Sequence, residues 1–295
     1  IGMSKVLPCF RFSQKEGKWI EVEVKKESVA VESFKVVTLN QWFDRKAIKE
    51  RTKYQLKDLK KMNPDVICFQ ETTSESLDIV CNDKWIRKNY YATDVSSSTF
   101  YDYGICIFCK FLPENFYQVN FPSRMGRCFI YGEFTLNNET FAIGTVHLES
   151  LASRDTRKQQ LTIIHDVLEK YEHKIFCGDF NFDSSRNFDE RDKNPLENDW
   201  MIEYFQGYND IWPLLHPNEK GYTFDTEENG MIKDHRPERM RYDRIMCSSS
   251  LWKPQSISLF GNTSCGTIRH ILYGTKIPLH LSDHFGLISE ISPQE

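Results

Sequence analysis

Six apolar segments of the chain end in polar side chains of the kinds that bind a metal ion or a phosphate. In chain order these side chains are Asn40, Glu71, His147, Asp179 with Asn181, Asp243, and Asp283 with His284. Strands that end at one edge of a sheet bring their last residues together, and ligands of α/β proteins often bind there. One such residue is usually a helix cap or a solvated loop residue, whereas six in order predict a single site.

The residue types favour metal-assisted hydrolysis of a phosphoester. A phosphodiester resists water because its charge repels the nucleophile and more charge develops on the phosphorus oxygens, which a divalent metal neutralises. Mg²⁺ prefers one or two carboxylates together with water. Glu71 supplies a carboxylate, with Asn40 as a neutral oxygen ligand nearby and Asp283 as a contact through water.

Asp179 is the candidate for activating the attacking water. Gly178 before it permits a tight turn, and Asn181 would point to the same side if the backbone is extended. We therefore expect Asn181 to hold a phosphate oxygen or to orient Asp179. A Gly-Asp-x-Asn stretch standing alone is more often an ordinary turn.

Two imidazoles are candidates for binding the phosphate. His284 would donate to a non-bridging oxygen, and Asp243 would fix its tautomer and keep it cationic, as a carboxylate does in hydrolytic triads. His147 is the second imidazole, with Ser150 as an added hydrogen-bond donor. The remaining histidines are assigned to structure or surface, namely His165, His173, His216, His235, His270 and His280.

In their order, the motifs resemble those of the endonuclease/exonuclease/phosphatase superfamily. They are Leu39-Asn40, Phe69-Gln-Glu71, His147-Leu-Glu-Ser150, Gly178-Asp-Phe-Asn181, Arg241-Tyr-Asp-Arg244 and Ser282-Asp-His284. The resemblance covers residues 34–291. It implies a four-layered αββα sandwich, with two packed, mostly antiparallel sheets flanked by helices, and cleavage of phosphoesters with Mg²⁺, for which Mn²⁺ would substitute.

Three segments are similar to those of the 5′-tyrosyl-DNA phosphodiesterases of this superfamily. They are His147–Ser150, Pro122–Arg127 and Tyr222–Thr226. The similarity implies hydrolysis of the bond between a tyrosine and a 5′-phosphate of DNA, in the repair of topoisomerase adducts. The implied partners are DNA 5′ ends that carry tyrosyl-protein adducts, on single-stranded or frayed DNA.

The same resemblance implies candidates for substrate binding. Tyr103 matches a tyrosine beside the phosphotyrosyl linkage, and Phe224 replaces a tryptophan that lines the groove for the DNA strand. An aromatic exchange preserves base stacking. Arg127 and Arg241 are candidates for local positive charge.

Four departures from the pattern keep other substrates open. Leu39 replaces a tryptophan, Phe180 replaces a threonine, and Asp183 and Ala152 replace arginines. The missing arginines favour an alternative phosphoesterase activity of the superfamily, on RNA 3′ ends, abasic sites, or inositol or sphingolipid head groups. A non-catalytic binding module is a third interpretation, although such proteins usually lose metal or base residues and all six motifs are present here.

Apolar segments and helical patterns predict the elements that position these residues. Strands are predicted at 34–40, 65–71, 103–110, 128–135, 140–147, 174–179, 241–247 and 284–291, helices at 45–62 and 155–171, and a polar surface excursion at 182–199. Strands outnumber helices and are interleaved with them, which predicts one catalytic domain over residues 34–295. Residues 1–33 are predicted to be an N-terminal extension that forms an edge hairpin.

Composition limits the functional classes. With 295 residues, 40% of them hydrophobic, the chain can form a large core, and its net charge of −4 argues against non-specific coating of duplex DNA. A polyanion would therefore bind in a local groove, helped by a metal or placed arginines. No apolar run approaches the roughly 18 residues of a membrane span.

The cysteines and the first residues bear on location. Nine cysteines, an odd number, are scattered through apolar segments, which indicates free thiols in a reducing compartment. The start lacks the apolar run of a signal peptide, and Ile1-Gly2 before Met3 looks like a vector remnant. We expect an intracellular protein of the nucleus, the cytoplasm or both.

Overall fold

The computed structural model describes residues 4–186, 197–233, 236–269 and 274–294. Residues 1–3 of the expected extension, residue 295, His235, His270 and most of the expected excursion at 182–199 lie outside these ranges. No helix within them is long and apolar enough to cross a membrane.

The described strands and helices alternate along the chain. The first strands are β1 (Lys5–Leu7), β2 (Cys9–Ser13), β3 (Lys18–Val22), β4 (Ser28–Val29), β5 (Phe34–Asn40), β6 (Val66–Thr73), β7 (Tyr91–Ala92), β8 (Tyr103–Cys109), β9 (Asn115–Asn120) and β10 (Cys128–Leu136). The later strands are β11 (Glu139–His147), β12 (His173–Asp179), β13 (Asn209–Asp210), β14 (Phe224–Asp225), β15 (Arg239–Met240), β16 (Asp243–Ser248), β17 (Trp252–Phe260), β18 (Gly266–Arg269), β19 (Lys276–Leu279) and β20 (Gly286–Pro293). The helices are α1 (Ile48–Met62), α2 (Ser74–Asn82), α3 (Lys84–Asn89), α4 (Arg154–Leu168), α5 (Glu197–Tyr204) and α6 (Ile211–Leu215).

Most of the described strands belong to two large sheets. The first has the order β1-β9-β10-β11-β12-β16-β13, with β4 beside β10, and the second has the order β17-β20-β5-β6-β8-β7-β2-β3. Neighbours are mostly antiparallel, while β5 with β6 and β11 with β12 are parallel. The first strand of the chain and the β2–β3 hairpin lie at the sheet edges.

Alternate residues of the central strands face two different apolar layers. Ile143 and Ile175 of the first sheet lie in the core between the sheets, whereas Phe176 lies in the cluster that includes Leu161 of α4. In the second sheet Val37 packs in the cluster that contains residues of α1 and α2. Because side chains alternate along a strand, each sheet has two buried faces. The predicted four-layered sandwich is confirmed.

The two predicted long helices are shorter than their sequence patterns. The first begins at Ile48, after Ala47 in a left-handed conformation, and it ends at the left-handed Asn63 before Pro64. The second spans Arg154–Leu168. Helices α2 and α3, which the sequence pattern did not predict, cover the outer face of the second sheet.

All nine cysteines are free thiols and seven of them are buried. Burial raises the pKa of Cys106 to about 12, so this thiol stays protonated at neutral pH. Buried protonated thiols are inert, and we assign them to packing.

Candidate active site

Strand pairing places three of the predicted residues in one row. His147 at the end of β11 is the register partner of Asp179 at the end of β12, and Asp179 is the partner of Asp243 at the start of β16. The second sheet approaches the same row, because Nδ2 of Asn40 donates to Oδ2 of Asp179 at 3.0 Å. Asn40 and Asp179 are 139 positions apart in the chain, and only the packing of the two sheets brings them together.

Glu71 reaches this row because strand β6 is irregular there. The pairing of β6 with β8 shifts between Phe69 and Thr72, and Glu71 has a φ of 52°. Such bulges redirect a side chain, and they are frequent beside active sites. The Glu71 carboxylate accepts the N–H of Phe43 at 2.9 Å, and its other oxygen lies 3.7 Å from Nε2 of His147. Burial raises the pKa of Glu71, against the effect of His147.

Asp179 is the centre of the cluster. Its Oδ1 accepts the backbone N–H of Asn181 at 2.8 Å, and its Oδ2 lies 3.4 Å from Nε2 of His147 and 3.8 Å from Nε2 of His284. Burial alone would raise the pKa of Asp179, but the two imidazoles and the Asn181 N–H hold it well below its usual range. Asp179 is therefore a carboxylate anion.

The backbone around Asp179 allows no side chain at the preceding position. Gly178 has a φ of 139°, and a Cβ there would lie 1.9 Å from the carbonyl oxygen of Val146. This glycine is required by the close approach of β11 to β12.

The extended backbone expected after Asp179 is not observed. Asn181 has a φ of 55°, and its side-chain Nδ2 donates to the carbonyl of Leu148 at 2.8 Å. Of the two roles expected for Asn181, orientation of Asp179 is made by its backbone N–H rather than by its side chain.

His284 and Asp243 form the pair that the sequence suggests. Nδ1 of His284 lies 2.7 Å from Oδ2 of Asp243, and both residues are buried. Burial alone would lower the pKa of His284, but Asp243, Asp283 and Asp179 raise it well above its ordinary value. His284 is therefore an imidazolium at neutral pH, with Nε2 facing Asp179.

His147 is neutral, in contrast to the cationic His284. Nη1 of Arg127 lies 2.7 Å from Nδ1 of His147. A guanidinium only donates hydrogen bonds, so Nδ1 accepts and the proton of the neutral ring is on Nε2, towards Asp179. Burial and Arg127 lower the pKa of His147. Nη2 of Arg127 also donates to Oγ of Ser150 at 3.0 Å, which joins Ser150 to this group.

The other two proposed metal ligands lie at the border of the cluster. Oδ1 of Asn40 accepts the N–H of Trp42 at 2.9 Å. The Asp283 carboxylate accepts the hydroxyl of Ser282 at 3.0 Å, and burial raises its pKa. The amide nitrogen of Asn40 thus binds Asp179 while its oxygen binds the backbone of Trp42. Asn40 therefore has a structural function in addition to the metal-binding function that we expected of its oxygen.

The donor set fits a divalent hard cation. Ligand atoms of Glu71, His147 and Asp179 lie within 4.8 Å of one another, as do those of Asp179, Asp243 and His284. Because the ring nitrogens of both histidines are protonated or hydrogen-bonded, the donors left for a cation are the carboxylate oxygens. Oδ1 of Asp243 is buried without a hydrogen-bond partner in the described part of the chain. Carboxylate oxygens are the ligands that Mg²⁺ prefers. Burial raises the pKa of Glu71 and of Asp283, and a cation bound beside them would favour their charged form.

Aromatic side chains flank the cluster on two sides. The ring of Phe224 lies 5.4 Å from that of His284 and 5.7 Å from that of Tyr242. The ring of Tyr103 lies 6.4 Å from that of His147, and the Arg127 guanidinium lies 5.3 Å from the Tyr103 centroid. Each imidazole therefore has its own aromatic neighbour.

The structure does not bring Arg241 to the cluster. Its guanidinium makes two hydrogen bonds to the carboxylate of Asp210, at 2.9 and 2.6 Å, and a third to Ser184. A buried guanidinium requires a counterion, and Asp210 supplies it. Asp183, which stands at one of the missing arginine positions, is buried and accepts the backbone N–H of Arg241 at 2.8 Å.

Two residues at the site were missed by sequence reasoning. Arg51 of α1 is fully buried, and it donates to the carbonyls of Gln41, Trp42, Asp44 and Lys46. Arg51 follows Ile48 by three positions and precedes Gln55 by four, so it lies on the buried face of α1. This helical spacing is the sequence signal that could have identified it. Phe43, on the loop that Arg51 holds, stacks on Tyr103 with ring centroids 4.7 Å apart.

The chain is similar to known proteins in sequence and in fold. The chain is 29% identical over 180 residues to tyrosyl-DNA phosphodiesterase 2 of Xenopus laevis, a match that covers 58% of this chain and 43% of that protein. It is similar in fold to D. rerio TDP2 complexed with single strand DNA product (TM-score 0.69, 21% identity, 88% of this chain and 99% of that chain). It is also similar to C. elegans TDP2 (TM-score 0.68, 21% identity, 88% of this chain and 75% of that chain).

The sequence also matches a family model over most of its length. The family model of the endonuclease/exonuclease/phosphatase family matches residues 37–284. That range contains the residues of the cluster from Asn40 to His284. The chain belongs to the endonuclease/exonuclease/phosphatase family.

Proposed function

We propose that the protein is a divalent-metal-dependent phosphodiesterase. The observation that carries the proposal is the carboxylate of Asp179, held anionic between a neutral His147 and a cationic His284 and beside the carboxylate of Glu71. A phosphate would meet two N–H donors and a base at one point. Family membership supports the same chemistry.

Glu71 would be the main ligand of the metal, since one of its oxygens makes no hydrogen bond in the described structure apart from its 3.7 Å approach to His147. Asn40 and Asp283 border the same position. The bound Mg²⁺ or Mn²⁺ would neutralise charge on the phosphate.

Activation of the water and binding of the phosphate oxygens would be the roles of three side chains of the chain. Asp179 orients a water molecule and accepts its proton as the water oxygen bonds to phosphorus and the bond from phosphorus to the leaving oxygen breaks. Its low pKa makes it a weak base, so orientation of the water is a large part of its contribution. Nε2–H of His284 and Nε2–H of His147 would donate to phosphate oxygens as charge develops there.

For the substrate, we propose a 5′-phosphotyrosyl bond of DNA. The similarity to the Xenopus laevis tyrosyl-DNA phosphodiesterase 2 supports this, as does Tyr103 beside His147 and Arg127. A phenol of pKa ~10 leaves readily, so a strong general acid is unnecessary. The proposed role is repair of DNA ends that carry protein adducts, in the nucleus or cytoplasm.

A substrate panel tests the proposal. In the presence of Mg²⁺ we expect cleavage of p-nitrophenyl thymidine 5′-monophosphate and of 5′-tyrosyl DNA, and little cleavage of abasic DNA, poly(A) RNA or inositol phosphates. Failure on every 5′-tyrosyl end, together with rapid cleavage of RNA or an inositol phosphate, would transfer the activity to another substrate of the family.

Asp243→Asn is expected to shift the pH dependence of kcat. The raised pKa of His284 keeps the ring cationic through neutral pH, so activity should be lost only as the pH rises through that value. Without the Asp243 carboxylate this pKa falls, and the alkaline limb of the profile should move to lower pH. The measurement is kcat against pH with p-nitrophenyl thymidine 5′-monophosphate. An alkaline limb that stays in place would contradict the role of this pair.

Phe224→Ala is expected to weaken the transition-state binding of DNA substrates by ~1–3 kcal/mol, because one base would lose its stacking partner. The short p-nitrophenyl ester has almost no strand to stack and should lose little. The measurement is kcat/KM on tyrosyl oligonucleotides of increasing length, with Tyr204→Ala as a control, since Tyr204 is an exposed aromatic residue that stacks on Trp200. Equal losses on long and short substrates would assign Phe224 to packing.

A further inference from the structure

We propose that Phe43 is a specificity-determining residue that receives the aromatic leaving group of the substrate. The inference rests on the proposed phosphodiesterase function and extends it to a residue that none of the site motifs contains. Phe43 is 48% exposed, and its ring is nearly parallel to that of Tyr103, with an interplanar angle of 12° and centroids 4.7 Å apart. The two rings form one aromatic surface, which we call the Phe43 shelf, running from His147 to solvent.

The loop that carries Phe43 is held in a fixed conformation. Arg51 binds the carbonyls on both sides of Phe43, including those of Trp42 and Asp44, and its guanidinium lies 4.8 Å from the Trp42 ring centroid. Trp42 has a φ of 63°, a conformation that costs energy for a non-glycine residue. The backbone N–H of Phe43 donates to Glu71. The exposed ring is therefore presented by a constrained loop that is bonded to the active site.

The position of the Phe43 shelf indicates which of the two organic groups of the phosphodiester would bind there. A phosphodiester has two organic groups, and the site has two aromatic surfaces, one beside each imidazole. Phe224 and Tyr242 lie beside His284, and we have proposed that Phe224 binds the nucleotide strand. The shelf lies beside His147, on the surface that remains for the leaving group. An aryl group would pack there against Phe43 and Tyr103, close to the Arg127 guanidinium.

A pair of esters with matched leaving-group acidity tests this inference. Thymidine 5′-phenyl phosphate and thymidine 5′-hexafluoroisopropyl phosphate release alcohols of similar acidity, but only the first has an aromatic group. Phe43→Ala and Phe43→Leu should lower the ratio of kcat/KM for the phenyl ester to that for the fluoroalkyl ester by about two- to tenfold, the size expected of one aromatic pair. Phe43→Trp should restore the ratio.

Tyr204→Ala is the matched control, since it removes an exposed aromatic residue that stacks on Trp200 rather than on a ring of the cluster. Thermal unfolding of each variant checks its fold. Equal losses on both esters would overturn the inference, because Phe43 would then act only by supporting Tyr103. A loss that grows with strand length and ignores the leaving group would also overturn it and identify a nucleobase surface. If the wild type cleaves neither ester, the proposed function itself fails. If the wild type cleaves both esters and the variants leave the ratio unchanged, only the role proposed for Phe43 is excluded.

Discussion

Asp179→Asn is expected to lower kcat by about 10²–10⁴-fold, the contribution of a positioned general base. The amide keeps the size of the carboxylate but loses its charge. It can then neither accept the proton of water nor stabilise the His284 imidazolium, whose Nε2 lies 3.8 Å away. KM should change less than kcat, because the interaction is needed mainly in the transition state. The measurement is steady-state kinetics on p-nitrophenyl thymidine 5′-monophosphate with Mg²⁺.

Asp94→Asn serves as the control for loss of a buried carboxylate. Asp94 is also fully buried and accepts backbone N–H groups, those of Ser96 and Thr99, but it lies outside the described cluster. Circular dichroism and thermal unfolding would show that both variants fold. Retention of more than about a tenth of wild-type kcat by Asp179→Asn, a loss below ~1.4 kcal/mol, would refute the assigned role.

Removal of the metal is expected to abolish activity. Burial raises the pKa of Glu71 and Asp283, which favours their neutral form, so without a cation the site lacks both the charged ligands and the positive charge that would neutralise the phosphate. Chelation with EDTA should stop turnover, and added Mg²⁺ or Mn²⁺ should restore it.

Glu71→Gln assigns the metal to this position by a measurement independent of turnover. Calorimetric titration with Mn²⁺ should show weaker binding than in the wild type, because the variant loses the principal charged ligand. Glu197→Gln is the matched control, since Glu197 is also buried but is paired with Arg157 on α4. Full turnover in chelator, or unchanged Mn²⁺ affinity in Glu71→Gln, would exclude the metal site proposed for Glu71.

The family and the fold were predictable from local features of the chain. Nearly continuous apolar runs identified the long central strands, because both faces of each sheet are buried. The polar residues at the strand ends, such as Asn40, Glu71 and Asp179, identified the edge of the sheets where a site could form. Strand and helix ends were less accurate, because capping conformations such as that of Ala47 depend on the loop and the neighbouring packing.

The charge states and the neighbours of the site residues depended on three-dimensional distances. Nothing local to His147 indicates that Arg127 binds its Nδ1, or that it differs from His284 in protonation. Arg241 is a candidate for local positive charge in the sequence, but in the structure its guanidinium is paired with Asp210. Phe43 lies at the site only because Arg51 binds the loop that carries Phe43 and so places this ring against Tyr103. Partner choice among charged and aromatic groups is set by distance and burial, and residues far apart in the chain acquire both only when the two sheets pack together.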